Sequence, residues 1–333
     1  MKAPGFWYPP EGAGVPLAAR LLAPVSALWS LAGRLRFRGA PGYEGRAPLV
    51  CVGNAVAGGA GKTPTAIAIG RRLMERGLTV HFLSRGHGGS ETGPLQVDPG
   101  AHTAAEVGDE PLLLAAYAPT WIAKDRVAGA TAADAAGADV IVMDDGLQNH
   151  PSLRRDLAIL VVDAAQGFGN GRVMPAGPLR EPAAAALAKA HGIVLIGAGP
   201  VPPPLDVRDP RLMRARLAPL AQGMSLTGVP VLAFAGIGRP EKFFATLKAM
   251  GAQLVRTIPF PDHHAYSRLI VERLVREAHD LGAMPVTTEK DMVRIPAHLR
   301  GDVRIVTVEL RFDSDDQIEA LLDMLPAGHR TGA

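Results

Sequence analysis

A glycine-rich turn early in the chain ends in residue types that bind nucleotide phosphates. Residues 52–64 read Val-Gly-Asn-Ala-Val-Ala-Gly-Gly-Ala-Gly-Lys-Thr-Pro and continue an apolar run. Glycine adopts backbone conformations that other residues rarely adopt, and it leaves room for a phosphate. Lys62 can reach the β- and γ-phosphates, and the Thr63 hydroxyl can ligate Mg²⁺. We therefore predict that a nucleoside triphosphate binds at Asn54, Gly58, Gly59, Ala60, Gly61, Lys62, Thr63 and Pro64.

Two carboxylates follow a second apolar run. Asp144 and Asp145 come directly after residues 140–143, which places them at the carboxyl end of a predicted strand. Phosphate-loop proteins hold Mg²⁺, or its water shell, with an acid in this position. An aspartate-rich turn is the alternative, and the phosphate loop upstream argues against it. We predict that these aspartates form the second half of the nucleotide site.

Two other segments contain residues capable of acid–base chemistry. Asp109 and Glu110 form an acidic pair between Gly108 and Pro111, a pattern that is also typical of a solvated loop. The segment 260–266 contains His263 and His264, whose imidazoles could orient or polarise a catalytic carboxylate. A histidine pair ahead of a helix is also typical of capping or of the surface. Neither segment is decisive alone.

The elements that must position these residues alternate along the chain. Apolar runs at 49–52, 79–83, 140–143, 157–162 and 193–196 are separated by alanine-rich stretches that suit helices. This alternation predicts an α/β fold with a mostly parallel sheet and helices on both faces. A second set of runs begins near residue 230, after a proline-rich passage at 200–205, and predicts a smaller α/β lobe. We therefore predict an amino-terminal segment 1–46, a core 47–225 and a carboxyl-terminal lobe 226–333.

Composition and charge limit the class of protein. The chain has 333 residues, 47% of them hydrophobic and 20% charged, which is ordinary for a folded globular protein. The single cysteine, Cys51, has no disulfide partner and falls in a predicted buried strand, so a reducing cytosolic environment is expected. The net charge is +3, but residues 1–48 carry six basic and two acidic side chains. Because the excess is confined to that segment, a nucleic-acid-binding core is not expected.

The amino-terminal segment has the pattern of an amphipathic helix. Leucines recur at helical spacing on one side and basic or small residues on another, and six of the sixteen aromatic residues fall here. This combination suits the headgroup zone of an anionic membrane surface. A transmembrane span is not expected, because the uncharged run 21–33 is short and contains Pro24. A helix packed on the protein's own core is the alternative.

Taken in order, these segments resemble the tetraacyldisaccharide 4′-kinase family, the lipid A 4′-kinases of Gram-negative bacteria. The resemblance covers nearly the whole chain, and the family also has a residue other than glycine at the position of Val56. Two positions depart from the family pattern: His87 stands where tyrosine is usual, and Asn149 where histidine is usual. The matching motifs are the phosphate loop 52–64, Ser-Arg-Gly at 84–86, Gly-Asp-Glu-Pro at 108–111, Asp-Asp-Gly-Leu-Gln at 144–148, Pro-Ala-Gly-Pro-Leu-Arg-Glu-Pro at 175–182, Phe-Ala-Gly-Ile-Gly-Arg-Pro at 234–240, Asp-His-His at 262–264 and Thr-Glu-Lys-Asp at 288–291.

The resemblance implies a reaction and its substrates. Such a kinase transfers the ATP γ-phosphoryl group to the 4′-hydroxyl of a tetraacylated glucosamine disaccharide 1-phosphate, at the cytoplasmic face of the inner membrane. It implies that Asp109 is the acceptor base, assisted by a histidine of the 262–264 motif, for which we choose His263. Lys62 and Arg180 would then contact phosphates. Mg²⁺ would be bound by Thr63, by one or both of Asp144 and Asp145, and by Glu181.

Two other classes share some of these features. A membrane-associated partitioning ATPase has a lysine directly before its Gly-Gly-x-Gly-Lys, where this chain has Ala57, and a GTPase needs an Asn-Lys-x-Asp motif that is absent. A non-enzymatic nucleotide-binding scaffold would leave Asp109 and His263 without a role.

Overall fold

A computed structural model describes residues 3–10, 12, 14–36, 42–148, 153, 155–220 and 225–326 of the chain, without the side chains of residues 32–36. The strands are β1 Leu49–Gly53, β2 Val80–Ser84, β3 Leu95–Gln96, β4 Thr120–Ile122, β5 Val140–Asp144, β6 Leu157–Asp163, β7 Gly192–Ile196, β8 Leu212–Pro219, β9 Pro230–Ala235, β10 Gln253–Pro259, β11 Met284–Thr288, β12 Arg304–Val306 and β13 Val308–Phe312. The helices are α1 Leu17–Leu21, α2 Ala23–Arg36, α3 Lys62–Glu75, α4 Ala104–Val107, α5 Asp109–Ala115, α6 Arg126–Ala135, α7 Ala183–Lys189, α8 Pro240–Ala249, α9 Arg268–Asp280, α10 Glu289–Met292 and α11 Asp315–Leu322, with 3₁₀ turns at Gly5–Trp7 and Ala297–Asp302.

The larger sheet has β1 at its centre. In the described residues its strand order is β13-β8-β7-β6-β1-β5-β2-β4-β3, and every neighbouring pair is parallel except β13 with β8 and β3 with β4. Strands β1, β5, β6 and β7 are buried at every residue. Continuous apolar strands of this kind are what a sheet covered on both faces requires. The predicted mostly parallel α/β core is confirmed.

The smaller lobe is built on a second parallel sheet of order β10-β9-β11-β12. Helix α9 begins at a serine cap, where the Ser267 side chain accepts a hydrogen bond from the backbone N–H of Ile270. It buries Val271, Leu274 and Ala278 at the helical spacing that the sequence shows. The smaller α/β lobe of the fold prediction is therefore present.

The chain returns to the larger sheet after the smaller lobe. Strand β13 pairs with β8, and α11 then packs against that sheet with Ile318 and Leu322 buried. Arg72 of α3 and Arg76, which directly follows α3, both form ion pairs with Glu319 of α11. Within the predicted range 226–333, residues 308–322 therefore belong spatially with the core, and the three-way division of the chain stays a prediction.

The amino-terminal segment forms two helices where the leucine spacing predicted one. Helix α1 ends at Leu21 and α2 begins at Ala23, because Pro24 has no backbone N–H to bond to residue 20. The side chain of Ser26 is buried: its Oγ donates to Val173 O (2.8 Å) and accepts from the backbone N of Ala176 (3.0 Å). Arg38, the last basic residue on the polar side of the predicted amphipathic helix, lies outside the described residues. Across the described part of the chain, no helix is both long enough and apolar enough to span a membrane.

Candidate active site

The phosphate loop connects the central strand β1 to α3. Gly61 caps α3 with φ +93°, a conformation that residues with a Cβ rarely adopt. The backbone O of Gly58 accepts from Asn54 Nδ2 (3.2 Å), and Lys62 Nζ donates to Asn54 Oδ1 (3.3 Å). Asn54 is fully buried, and its two hydrogen bonds connect the two ends of the loop. A Cβ atom at Gly58 or Gly59 would meet no atom within 4 Å, so the backbone here faces open space.

A second segment supports this loop from the side. The backbone N of Ala57 donates to Pro178 O (2.8 Å), and the backbone N of Arg180 donates to Ala55 O (2.8 Å). These bonds explain why the proline-rich motif 175–182 accompanies the phosphate loop in the sequence. The same segment bonds to Ser26 of α2, so it connects the amino-terminal helices to the loop.

Asp144 lies at the end of β5, next to β1, and is almost completely buried. Its Oδ2 accepts from Thr63 Oγ1 (2.7 Å), whereas its Oδ1 is buried without a hydrogen-bond partner. Burial, with the nearby charge of Glu110, raises the pKa of Asp144 to about 7. A buried carboxylate oxygen without a donor is costly, so this atom is suited to a cation.

Asp145 has φ +59° and turns its carboxylate toward cations. Arg180 Nη1 contacts both of its oxygens (2.9 and 3.0 Å), and Lys62 Nζ lies 3.7 Å from Oδ1. Burial alone would raise the pKa of Asp145, but Lys62 and Arg180 outweigh it and the pKa is lowered. The two adjacent aspartates therefore differ: nearby cations hold Asp145 as a carboxylate, whereas burial and the Glu110 charge outweigh the effects of Lys62 and Thr63 on Asp144.

Glu181 and Gln148 lie next to the phosphate loop and are hydrogen-bonded to each other. Gln148 Nε2 donates to the backbone O of Asn54 (2.7 Å) and to Glu181 Oε1 (3.3 Å), while Glu181 also pairs with Lys189. Sequence reasoning gave no role to Gln148, although it completes the Asp-Asp-Gly-Leu-Gln motif. Its two bonds show that it links the phosphate loop to Glu181.

Asp109 and His263 come together from different lobes. Asp109 begins α5 of the core, and its Oδ2 lies 3.0 Å from Nδ1 of His263, which follows β10 of the smaller lobe. Asp109 is 4% exposed and His263 is 43% exposed. Burial alone would raise the pKa of Asp109, but His263, Lys290 and Arg294 outweigh it and hold the pKa well below its usual range.

The neighbouring histidines have different surroundings. The ring of His264 stacks on Phe260 at a centroid distance of 4.6 Å, and burial and the Arg294 charge lower its pKa. It therefore packs within the smaller lobe. His87, one of the two departures from the family pattern, lies with its ring 6.4 Å from that of His263. The other departure, Asn149, lies outside the described residues.

Asp109 and Glu110 lie in the same region as the phosphate loop, because Glu110 is near enough for its charge to act on Asp144. Among the described residues, no group of three or more histidine, cysteine, aspartate or glutamate side chains could hold a metal ion. A strand–loop–helix that carries Lys62 and Thr63, with two aspartates on the adjacent strand end, defines a P-loop nucleotide-binding protein.

Comparison with known proteins narrows this class. The family model described as tetraacyldisaccharide-1-P 4′-kinase (LpxK) matches residues 18–326. The chain therefore belongs to the tetraacyldisaccharide 4′-kinase family, as the sequence motifs predicted. It is 53% identical to the tetraacyldisaccharide 4′-kinase of Rhodospirillum centenum over 98% of each chain, and 50% identical to that of Rhodospirillum rubrum over 98% of this chain and 99% of the relative.

A solved structure is also similar. It is LpxK from Aquifex aeolicus in complex with ATP, which superposes with a TM-score of 0.74 at 25% identity and covers 93% of this chain and 100% of that chain. The similarity extends over both lobes, because the coverage includes nearly all of this chain.

Proposed function

We propose that this chain transfers the γ-phosphoryl group of ATP to the 4′-hydroxyl of tetraacyldisaccharide 1-phosphate, giving the 1,4′-bisphosphate (lipid IVA). Family membership supports the kinase activity. The observation that carries the mechanism is the 3.0 Å contact between Asp109 and His263, because it joins a carboxylate and an imidazole from two lobes near a phosphate loop.

Lys62 binds the phosphates of ATP in this proposal. In this structure its Nζ contacts Asn54 of the loop and Asp145, which directly follows β5. Turning from these partners to the β- and γ-phosphate oxygens keeps the ammonium paired and places its charge where negative charge develops during transfer. The backbone N–H groups of residues 58–63 would cradle the same phosphates.

Mg²⁺ fits the donors beside Thr63. The Thr63 hydroxyl and the unpartnered Oδ1 of Asp144 are oxygen donors of the kind that Mg²⁺ prefers, with Asp145 next to them. Mg²⁺ commonly keeps several water and phosphate ligands, so a site with one or two carboxylates is sufficient. Bound there, the ion would neutralise charge on the phosphates. We propose that Arg180 contacts phosphate and that Glu181 contributes to the metal site through water or a shifted side chain.

Asp109 acts as the acceptor base. The O–H bond of the 4′-hydroxyl breaks and its proton passes to the Asp109 carboxylate. The new O–P bond forms to the γ-phosphorus as the bond from that phosphorus to the bridging oxygen breaks, leaving ADP. His263 orients Asp109 through its 3.0 Å contact with Oδ2.

The amino-terminal helices bring the site to an anionic membrane surface. Leu17, Leu21 and Leu28 are 71%, 72% and 67% exposed, while Ser26 on the opposite side is buried against the core. Exposed leucines beside Arg20 support peripheral or monotopic binding by apolar burial and charge attraction. The proposed location is the cytoplasmic face of the inner membrane, where ATP is available.

The test is a phosphorylation assay with labelled ATP and tetraacyldisaccharide 1-phosphate in mixed micelles. The native protein should form the 4′-phosphorylated lipid, and Lys62→Ala should lower turnover at least about a hundredfold. Lys248→Ala, an exposed change on α8, is the matched control and should leave turnover unchanged. Near-native turnover by a folded Lys62→Ala protein would contradict the loop assignment. ATP binding without any lipid product would favour the non-enzymatic scaffold.

A further inference from the structure

The motif Thr-Glu-Lys-Asp at 288–291 has entered the site so far only through the charge of Lys290, yet it also contains a fully buried carboxylate, Asp291. Asp291 Oδ1 accepts hydrogen bonds from the backbone N of Gly236 (2.8 Å) and from Tyr266 Oη (2.9 Å), and its Oδ2 accepts from Thr288 Oγ1. A buried charge is tolerated only with such compensation. Asp291 is therefore a fixed point inside the smaller lobe.

This fixed point holds Arg294. Arg294 Nη1 lies 3.2 Å from Asp291 Oδ1 and donates to the backbone O of Gly236 (2.9 Å). The Arg294 side chain is 5% exposed, and these contacts direct its guanidinium out of the smaller lobe toward the core. Its Nε lies 3.1 Å from Asp109 Oδ2 as an ion pair, although the N–H direction makes no hydrogen bond.

Asp109 consequently has two unlike oxygens. Its Oδ2 lies near three nitrogens of the smaller lobe: His263 Nδ1 at 3.0 Å, Arg294 Nε at 3.1 Å and Lys290 Nζ at 3.8 Å. Its Oδ1 accepts the backbone N–H of Glu110 (3.0 Å). Lys290 is shared, because its Nζ also donates to Glu110 (3.3 Å). Arginine keeps its charge at any working pH, so its attraction for Oδ2 is permanent.

We propose that Arg294 is a positioning residue for phosphoryl transfer: held by Asp291, it fixes Oδ2 of Asp109 so that Oδ1 faces the acceptor hydroxyl and receives its proton. The proposal rests on the base role given to Asp109. It assigns the Thr-Glu-Lys-Asp motif a function in the core's chemistry, because Asp291 sets the position of Arg294 and Lys290 screens Glu110 from Asp109. The alignment of Asp109 then depends on how the smaller lobe packs against the core.

A double-mutant cycle tests this role. Arg294→Met should lower kcat at least about tenfold in the native background, because Asp109 is then free to rotate and less well aligned. In an Asp109→Asn background the same change should lower kcat less than about threefold, since nothing remains to be positioned. KM for ATP should change little in both backgrounds. Arg294→Lys keeps the charge with a different reach and should retain more activity than Arg294→Met.

The matched control is Arg300→Met. Arg300 donates to Ile295 O (3.0 Å) and Val293 O (3.1 Å), so it supports the same segment of the smaller lobe. It should affect thermal unfolding but not kcat, which separates support of the fold from positioning. Equal losses from Arg294→Met in both Asp109 backgrounds, or no loss in the native one, would overturn the proposal. Near-native turnover by Asp109→Asn itself would instead remove the proposed base.

Discussion

Asp109 is buried between the lobes and remains ionised because cations surround it. The pKa of Asp109 is held well below the usual range, so this side chain is a carboxylate throughout the physiological range. A base with a low resting pKa accepts a proton poorly unless its surroundings change as the acceptor binds. We infer that the 4′-hydroxyl reaches Asp109 together with the transferring phosphoryl group, when the acceptor proton becomes acidic.

The first prediction concerns Asp109 and His263 as one unit. Asp109→Asn keeps the size of the side chain but removes the proposed base, so kcat should fall at least about a hundredfold while ATP affinity stays within a few-fold. His263→Ala should cost less, on the order of tenfold. The double variant should be no worse than Asp109→Asn alone. Steady-state kinetics on all four proteins measure this, and multiplied losses would mean that the two side chains act separately.

The sequence predicted most of the candidate site by residue type, because nucleotide chemistry restricts which residues can follow a strand. Lys62, Thr63 and Asp144 follow β1 and β5, and parallel neighbours bring those strand ends together without further information. Arg294 was missed for a physical reason. It reaches Asp109 only through the docking of two lobes and through Asp291, and neither contact leaves a periodic pattern in the sequence.

Strand prediction succeeded where strands are buried on both faces. The runs that become β1, β5, β6 and β7 are continuous and apolar. Strands β3 and β4 were missed, because they have only two and three residues. Strand β8 was also missed, because the last four of its residues are exposed or half-buried and because it pairs with the distant β13. Strand pairing that depends on contacts distant in sequence cannot be recognised from local hydrophobicity.

The amino-terminal helices have two different faces, one packed on the core and one exposed. One face docks on the core through Ser26, and Trp7 adds a second attachment because its Nε1 donates to Pro175 O (3.1 Å). Both contacts reach the segment that supports the phosphate loop. Deleting the whole segment would therefore disturb the core as well as the proposed membrane binding, so point changes on the exposed face are the sharper experiment.

The second prediction follows from this division. Changing Leu17, Leu21 and Leu28 together to serine should weaken flotation with anionic liposomes at least tenfold, because each exposed leucine contributes about 1.5–3 kcal/mol when buried. The melting temperature should stay within about 2 °C, since these side chains do not pack on the core. Leu269→Ser, at a 78% exposed site on α9, is the control and should float normally. Unchanged flotation of the triple variant would show that these helices do not bind the membrane.

Two sets of charges join the lobes across the whole molecule, and both place carboxylates on the core and basic side chains on the smaller lobe. The first is the set around Asp109. The second is Asp163, at the end of β6, which pairs with Arg239 and with Lys242 Nζ (2.9 Å). Strand β6 lies on one side of β1 in the larger sheet, whereas α5, which begins at Asp109, packs against β2 and β4 on the other side. The two sets therefore hold the smaller lobe on both sides of the phosphate loop.

The third prediction concerns the Asp163 set. Arg239→Met should destabilise the protein by about 1–3 kcal/mol, because it removes one of the two cations that pair with a buried carboxylate and leaves Lys242 and the backbone N–H groups of Ala165 and Gln166. Burial alone would raise the pKa of Asp163, but Arg239 and Lys242 outweigh it and lower the pKa. A folded-state pKa below the unfolded value stabilises the fold above the ordinary pKa of about 3.9, and this stabilisation is lost as pH falls through the folded value. The difference in unfolding free energy between native and Arg239→Met proteins should thus be full at pH 7 and shrink below about pH 4.

Hydrogen exchange shows whether this set holds the lobes together. Amides of the 236–242 segment and of the loop that carries His263 should exchange faster in Arg239→Met, and kcat should fall because His263 then spends less time against Asp109. Arg216→Met is the matched control, since Arg216 pairs with Asp313 within the larger sheet and both side chains are largely exposed. It should change neither exchange nor kcat, and its effect on stability should stay below about 1 kcal/mol. If Arg239→Met lowers stability without faster exchange in the His263 loop, Asp163 stabilises the fold but does not hold the lobes in register.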